Sequence, residues 1–266
     1  MRMTVGLLTA VFLLLATLEV GAQARPIAPP DSSTASAART PVLVELFTAE
    51  GCSSCPPADA LLQKLDTQPL AGLQLIVLSE HVDYWNHDGW TDPFSSHAYS
   101  ERQDDYIRGF HLASVYTPEM IVDGTSQFVG SDVHAAQQAL EKEKSAQKVG
   151  LRLSNLHVEN GVLHAHIETD SVPAEAHKVD VVLVIALNHA QSQVSRGENA
   201  GHLLTHVSVV RNLERVGSAK AGTTFSKDVT VHLEHGADPA NLRVIAFLQQ
   251  PGPGRIWGAG EEKLTP

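Results

Sequence analysis

Hydrophobic and polar positions change their period along this chain, and the changes divide it into four stretches. Val5 to Leu18 is apolar almost without a break, after Arg2 and before small residues ending Ala22-Gln23-Ala24. That three-part layout predicts a secretory signal over residues 1–24, because the apolar run falls short of the roughly 20 residues that cross a bilayer. Residues 25–40, R-P-I-A-P-P-D-S-S-T-A-S-A-A-R-T, have almost no large apolar side chain with which to offset the entropy of ordering. They are predicted to be a disordered leader.

From 41 to 148, short apolar runs alternate with helical spacing. V-L-V-E-L-F after Pro41 reads as a strand buried on both faces. Cys52-Ser53-Ser54-Cys55-Pro56-Pro57 follows, then Ala58, Leu61, Leu62 and Leu65 at helical spacing. Prolines suit a helix only in its first turn, so a strand runs through the cysteine loop straight into a helix. Leu73–Leu78 reads as a second strand, parallel to the first across a right-handed β-α-β unit. Ser79 to Phe94 has no regular period and reads as a long loop, followed by a helix from about Ser95 to Phe110. Thr117-Pro118 precedes a strand from Glu119 to Asp123, with 127–129 as its hairpin partner, and Ser131 or Asp132 caps a last helix to about Ala146. From 149 to 266 the period is two. An Asn160-Gly161 turn joins two alternating strands, and further strands are predicted at 179–187, 203–214, 224–233 and 241–250. This stretch reads as an all-β, sandwich-like domain.

Composition adds a limit on partners. With 43% hydrophobic and 18% charged residues, the chain is ordinary globular material. Its formal net charge of −11 argues against nucleic acid or an anionic membrane, both of which need basic surfaces.

The chain has two cysteines, Cys52 and Cys55. A thiol at a helix N-terminus meets unpaired N–H groups and the positive end of the helix dipole, which favour the thiolate. Cys52 is then the nucleophile and Cys55, one turn on, the resolving thiol. A structural disulfide is the alternative, although so small a ring removes only about 2 kcal/mol of unfolded-state entropy. A closed zinc site lacks a second pair of ligands. Glu45 on the first strand reads either as an acid that shuttles a proton to the dithiol or as a residue at the sheet edge.

The order of elements and motifs over 41–148 resembles the thioredoxin fold. In that family the Thr-Pro bond is cis and lies against the dithiol, which implies that role for Thr117 and Pro118. V-E-L-F-T-A-E-G-C-S-S-C-P-P-A, H-V-D-Y-W-N-H-D-G-W-T-D-P-F-S-S, Y-T-P-E-M-I-V-D-G and R-G-E-N-A-G together resemble an uncharacterised family of secreted bacterial thioredoxin-like proteins. The resemblance implies an α/β thioredoxin-like domain with a long insertion loop, followed by the all-β C-terminal domain.

The loop carries His81, Asp83, Tyr84, Trp85, His87, Asp88, Trp90 and Asp92. It is either a lid over the dithiol or a self-packed surface loop. As a lid it would use Trp85 and Trp90, with Tyr116, for substrate binding. Arg196, Glu198, Asn199, His202 and His206 either dock on the dithiol region or stay solvated. The leading expectation is a periplasmic or secreted thiol–disulfide oxidoreductase. It would act on protein thiols or disulfides and need no cofactor beyond the redox disulfide. The alternatives are a copper-binding protein using Cys52, Cys55, His81 and His87, and a non-catalytic interaction module.

Overall fold

The computed structural model describes residues 39–87 and 89–264. The predicted signal segment, most of the predicted leader and Asp88 lie outside the described residues, while Thr40 already belongs to the first strand. The elements run β1 (Thr40–Thr48), α1 (Pro56–Thr67), β2 (Leu73–His81), α2 (His97–Phe110), β3 (Glu119–Val122), β4 (Ser126–Val129) and α3 (Val133–Glu143). They continue through β5 (Leu151–Glu159), β6 (Val162–Thr169), β7 (Lys178–Gln193), β8 (Leu203–Lys220), β9 (Ser226–His232), β10 (Leu242–Gln249) and β11 (Ile256–Lys263). The helix starts follow ordinary capping. Ser96 Oγ accepts from Ala98 N, Asp132 Oδ1 accepts from Ala135 N, and Pro56-Pro57 occupies the first turn of α1.

An α/β thioredoxin-like domain followed by a separate all-β domain is not what forms. One mixed eight-stranded sheet, in the order β11-β10-β7-β8-β2-β1-β3-β4, runs through both halves of the sequence, and the described residues are mostly β with three short α-helices. The join is a parallel contact between β2 and β8 at Ser79 and Val209, reinforced where Tyr99 of α2 donates to the Val210 carbonyl at 2.9 Å. Two strands 130 positions apart meet there, and no local period reports such a pairing. β7 and β8 also run to 16 and 18 residues, well beyond the short strands expected, and β11 was not anticipated.

Alternation along the strands sorts the core by sheet face. On one sheet face Val42, Val44 and Leu46 of β1 meet Leu61 and Leu62 of α1 and Ala139 and Leu140 of α3. Further along that face the three-stranded sheet β5-β6-β9 covers β7 and β10, with Leu163, Ile167, Val181, Leu183, Val244 and Trp257 in contact. On the opposite face Leu43 and Ile76 share a cluster with Val184, Ile245, Phe247 and Tyr99 of α2. This last cluster spans both halves of the chain, so burial as well as hydrogen bonding makes them one body. Among the described residues no helix is long and apolar enough to cross a membrane.

Candidate functional site: a covered disulfide

β1 ends at Thr48, and a turn carries the chain to the cysteines, with Cys52 N donating to Ala49 O and Cys55 N to Cys52 O, both at 3.2 Å. Cys52 and Cys55 are joined as a disulfide, with Cys55 at the N-cap of α1. Ser54 Oγ lies 3.3 Å from Cys52 Sγ, placed to donate to a thiolate when the bond is reduced. The Thr117-Pro118 peptide is cis, as the resemblance implied.

Cys52, read as the attacking thiol, does not stand open to solvent. Both cysteines are 0% exposed, packed with Phe47, Ala49, Val82, Tyr106 and Ile121. Two covers account for this. The first is the loop after β2: Trp85 lies so close to Gly51 that a Cβ there would sit 3.2 Å from its Cβ and its carbonyl oxygen. The Trp85 indole donates to Thr117 Oγ1 at 2.8 Å. The second is the turn between β7 and β8. Asn199 Nδ2 donates to the carbonyls of Glu50 and Cys52, both at 2.9 Å, and Ser53 N donates to Glu198 Oε2 at 3.0 Å. That bond holds the exposed Glu198 carboxyl below its ordinary pKa. Asn199 and Glu198 are therefore docked on the cysteine loop, whereas Arg196 and His202 are exposed.

Beside the cysteine loop lies a buried ionisable cluster. His206 of β8 has Nε2 3.3 Å from Glu50 Oε1 and Nδ1 3.8 Å from Asp59 Oδ1, at charge-pair distances but without hydrogen-bond geometry. Burial pushes its pKa down, and the Asp59 and Glu50 carboxylates more than offset that, raising it to about 9. His81 Nδ1 meets Asp92 Oδ2 at 2.7 Å, and the His81 ring stands edge-on to that of His206 with centroids 4.6 Å apart. The Trp90 indole donates to Glu50 Oε2 at 2.8 Å. Trp90 is thus tied to this cluster and Trp85 to Thr117.

Glu45 is not set beside the sulfurs as a lone acid. Arg102 Nε donates to its Oε1 at 2.8 Å and Tyr106 OH to its Oε2 at 2.5 Å, which makes it half of a buried ion pair. The carboxyl that sequence reasoning passed over is Glu119. It follows Pro118 directly and pairs across β1 with Phe47, whose side chain contacts the cysteine cluster, so it shares that sheet face. Gln103 Nε2 donates to Glu119 Oε2 and to the Tyr116 carbonyl, each at 2.7 Å, while the Tyr116 hydroxyl turns to Gln127. Burial raises the Glu119 pKa to about 7, against the lowering effect of the Gln103 bond. An acid opening an otherwise apolar strand, E-M-I-V, was the available signal.

The proposed copper donors do not converge among the described residues. The sulfurs are bonded to each other, and His81 is engaged by Asp92. His87 lies exposed in the loop.

Residues 43–249 match the family model described as "Protein of unknown function (DUF1223)". The chain belongs to that family. A DUF1223 chain of this kind is similar to a protein from Agrobacterium tumefaciens solved by X-ray crystallography. The two share 28% identity over 84% of this chain and 94% of that one, with a TM-score of 0.66. It is also similar in fold to HBP35 of Porphyromonas gingivalis, at 16% identity over 85% of this chain and 76% of that one, with a TM-score of 0.58. A search of curated proteins finds no match.

Proposed function

We propose that this DUF1223 protein is an exported, periplasmic thiol–disulfide oxidoreductase in which Cys52 exchanges with substrate and Cys55 resolves. One observation carries the reading: the disulfide closes a four-residue ring at the head of α1, with a hydroxyl at the first sulfur and a near-neutral carboxyl on the same sheet face. As a staple such a ring is worth little. For a redox pair the same features serve exchange: a hydroxyl placed to donate to a Cys52 thiolate and a carboxyl on that sheet face to take a proton. A disulfide also suits an oxidising compartment.

In the oxidising direction a substrate thiolate attacks Cys52 Sγ, the Cys52–Cys55 bond breaks, and Cys55 leaves as a thiolate that takes a proton. A second substrate thiolate then attacks the mixed disulfide and expels Cys52, so two electrons pass from substrate to protein. Glu119 is the group that gives and receives the Cys55 proton in this reading. Because Cys52 is fully covered, Trp85 or the 196–202 turn must first be displaced.

The test is equilibration of the native protein with reduced and oxidised glutathione, followed by trapping with Cys55→Ser. The expected results are a defined equilibrium between dithiol and disulfide and a mixed disulfide on Cys52 in the trap, absent from Cys52→Ser. A disulfide that is never reduced in the folded protein, together with an empty trap, would make the pair a staple. Glu119→Gln should remove an inflection near pH 7 from the exchange rate. An unchanged pH profile would take the proton role from Glu119.

A further inference from the structure

Far from the disulfide in sequence, β5 and β6 form a hairpin across Asn160-Gly161, both with positive φ (51° and 75°), the conformation of a two-residue type I′ turn. The tight turn fixes the register, pairing Glu159 with Val162 and His157 with His164. Leu163, Ala165 and Ile167 of β6 are buried in the core, so His164 points to the opposite, outer face of the three-stranded sheet. His157 and His164 stack there with ring centroids 4.7 Å apart and planes 4° from parallel. One ligand atom from each of His157, Glu159 and His164 lies within 4.8 Å of the other two.

A second feature aims a donor. β5 carries an irregularity between Ser154 and His157, where Asn155 adopts φ 54°. The Asn155 carbonyl is 3.0 Å from His157 Nδ1. A carbonyl only accepts, so Nδ1 carries the hydrogen and the lone pair of the neutral ring sits on Nε2. This is how a metal-binding imidazole is commonly oriented, by a hydrogen bond from its other nitrogen. The neighbouring His166 is committed otherwise, with Nδ1 2.6 Å from Asp228 and Nε2 3.2 Å from Ser226 Oγ.

We propose that His157, Glu159 and His164 form a binding site for a divalent late first-row transition ion of the Zn²⁺ class on the outer face of the β5-β6 hairpin. Two imidazoles and one carboxylate are borderline nitrogen and oxygen donors suited to that class. Three protein ligands leave a coordination position for water or for a side chain of another molecule. The sequence signature is H-V-E-N-G-V-L-H, in which the turn brings the second histidine back opposite the first. The site does not involve the cysteines, so its success or failure is independent of the redox reading.

The experiment is titration of Zn²⁺ into the untagged protein with its disulfide intact, by calorimetry at neutral pH. One ion per chain is expected at this hairpin, with His157→Ala and His164→Ala each weakening binding by about tenfold or more. His166→Ala should stay within about twofold of the native protein. A parallel readout is the thermal midpoint, which Zn²⁺ should raise in the native chain and in His166→Ala but not in the His157→Ala/His164→Ala double variant. Equal Zn²⁺ binding by the native and double-variant proteins would overturn the proposal. So would a loss in His166→Ala as large as that in His164→Ala.

Discussion

Arg102→Met is expected to destabilise the protein by about 3–5 kcal/mol, the range for removing one partner of a buried ion pair. Arg102 is 11% exposed and Glu45 and Glu80 are 0% exposed. Its guanidinium bonds Glu45, Tyr106 and Gln249 and stands 3.6 Å from Glu80. Burial raises the Glu80 pKa well above its ordinary value, with Arg102 opposing the rise. Without it, Glu45 must be protonated or stay charged in the core. Adding Glu45→Leu to Arg102→Met should recover much of the loss, because an apolar pair removes the orphaned charge. Urea unfolding measures both. A loss under about 1 kcal/mol for the single variant would put the pair on a level with exposed ion pairs and refute its structural role.

Stability is expected to fall as pH rises from about 5 to 9, a direction opposite to that set by exposed, paired carboxylates. His206 has its folded pKa raised to about 9, from about 6.5 in an unfolded chain. Its contribution is fully present below about pH 6.5 and is lost as pH climbs through 9, a change of roughly 3 kcal/mol. Burial likewise raises Glu119 to about 7 and Asp123 to about 6, the latter against the opposing pull of Lys148. Each prefers its neutral form in the fold, so their contributions also fade upward, through pH 6 and 7. On the acid side Asp92 runs the other way. Burial raises its pKa, but His81 and the N–H groups of Glu50 and Phe94 hold it below the ordinary value. Its contribution is lost as pH falls through that lowered pKa. Maximum stability therefore lies at mildly acidic pH. Urea midpoints across this range, for the native protein and His206→Gln, test the point. A native profile that is flat or rises toward pH 9 would contradict it.

Local chemistry was legible in the sequence where it acts over short distances. The Asn160-Gly161 turn, the prolines opening α1, the choice of Ser131 or Asp132 as the cap of the last helix and the Thr117-Pro118 junction all declare themselves within a few residues. The cover of Cys52 was half legible: Arg196, Glu198, Asn199, His202 and His206 stood out as a polar group, but only a parallel contact of β2 with β8 brings Glu198, Asn199 and His206 to the cysteine loop and leaves Arg196 and His202 exposed. That same contact turned two expected domains into one sheet. Glu45 reads two ways, as a proton-shuttling acid or as a residue at the sheet edge, and its partners cannot be read from β1. Arg102 and Tyr106, one turn apart on α2, claim it, and nothing in β1 shows where α2 will lie.

Of the two covers, the turn between β7 and β8 comes late in the chain: Asn199, which bonds the Cys52 carbonyl, follows it by 147 residues. At about 5–20 residues per second of synthesis, the cysteine loop and Trp85 are made on the order of 10 s before this second cover, so closure of the site waits on the far half of the chain.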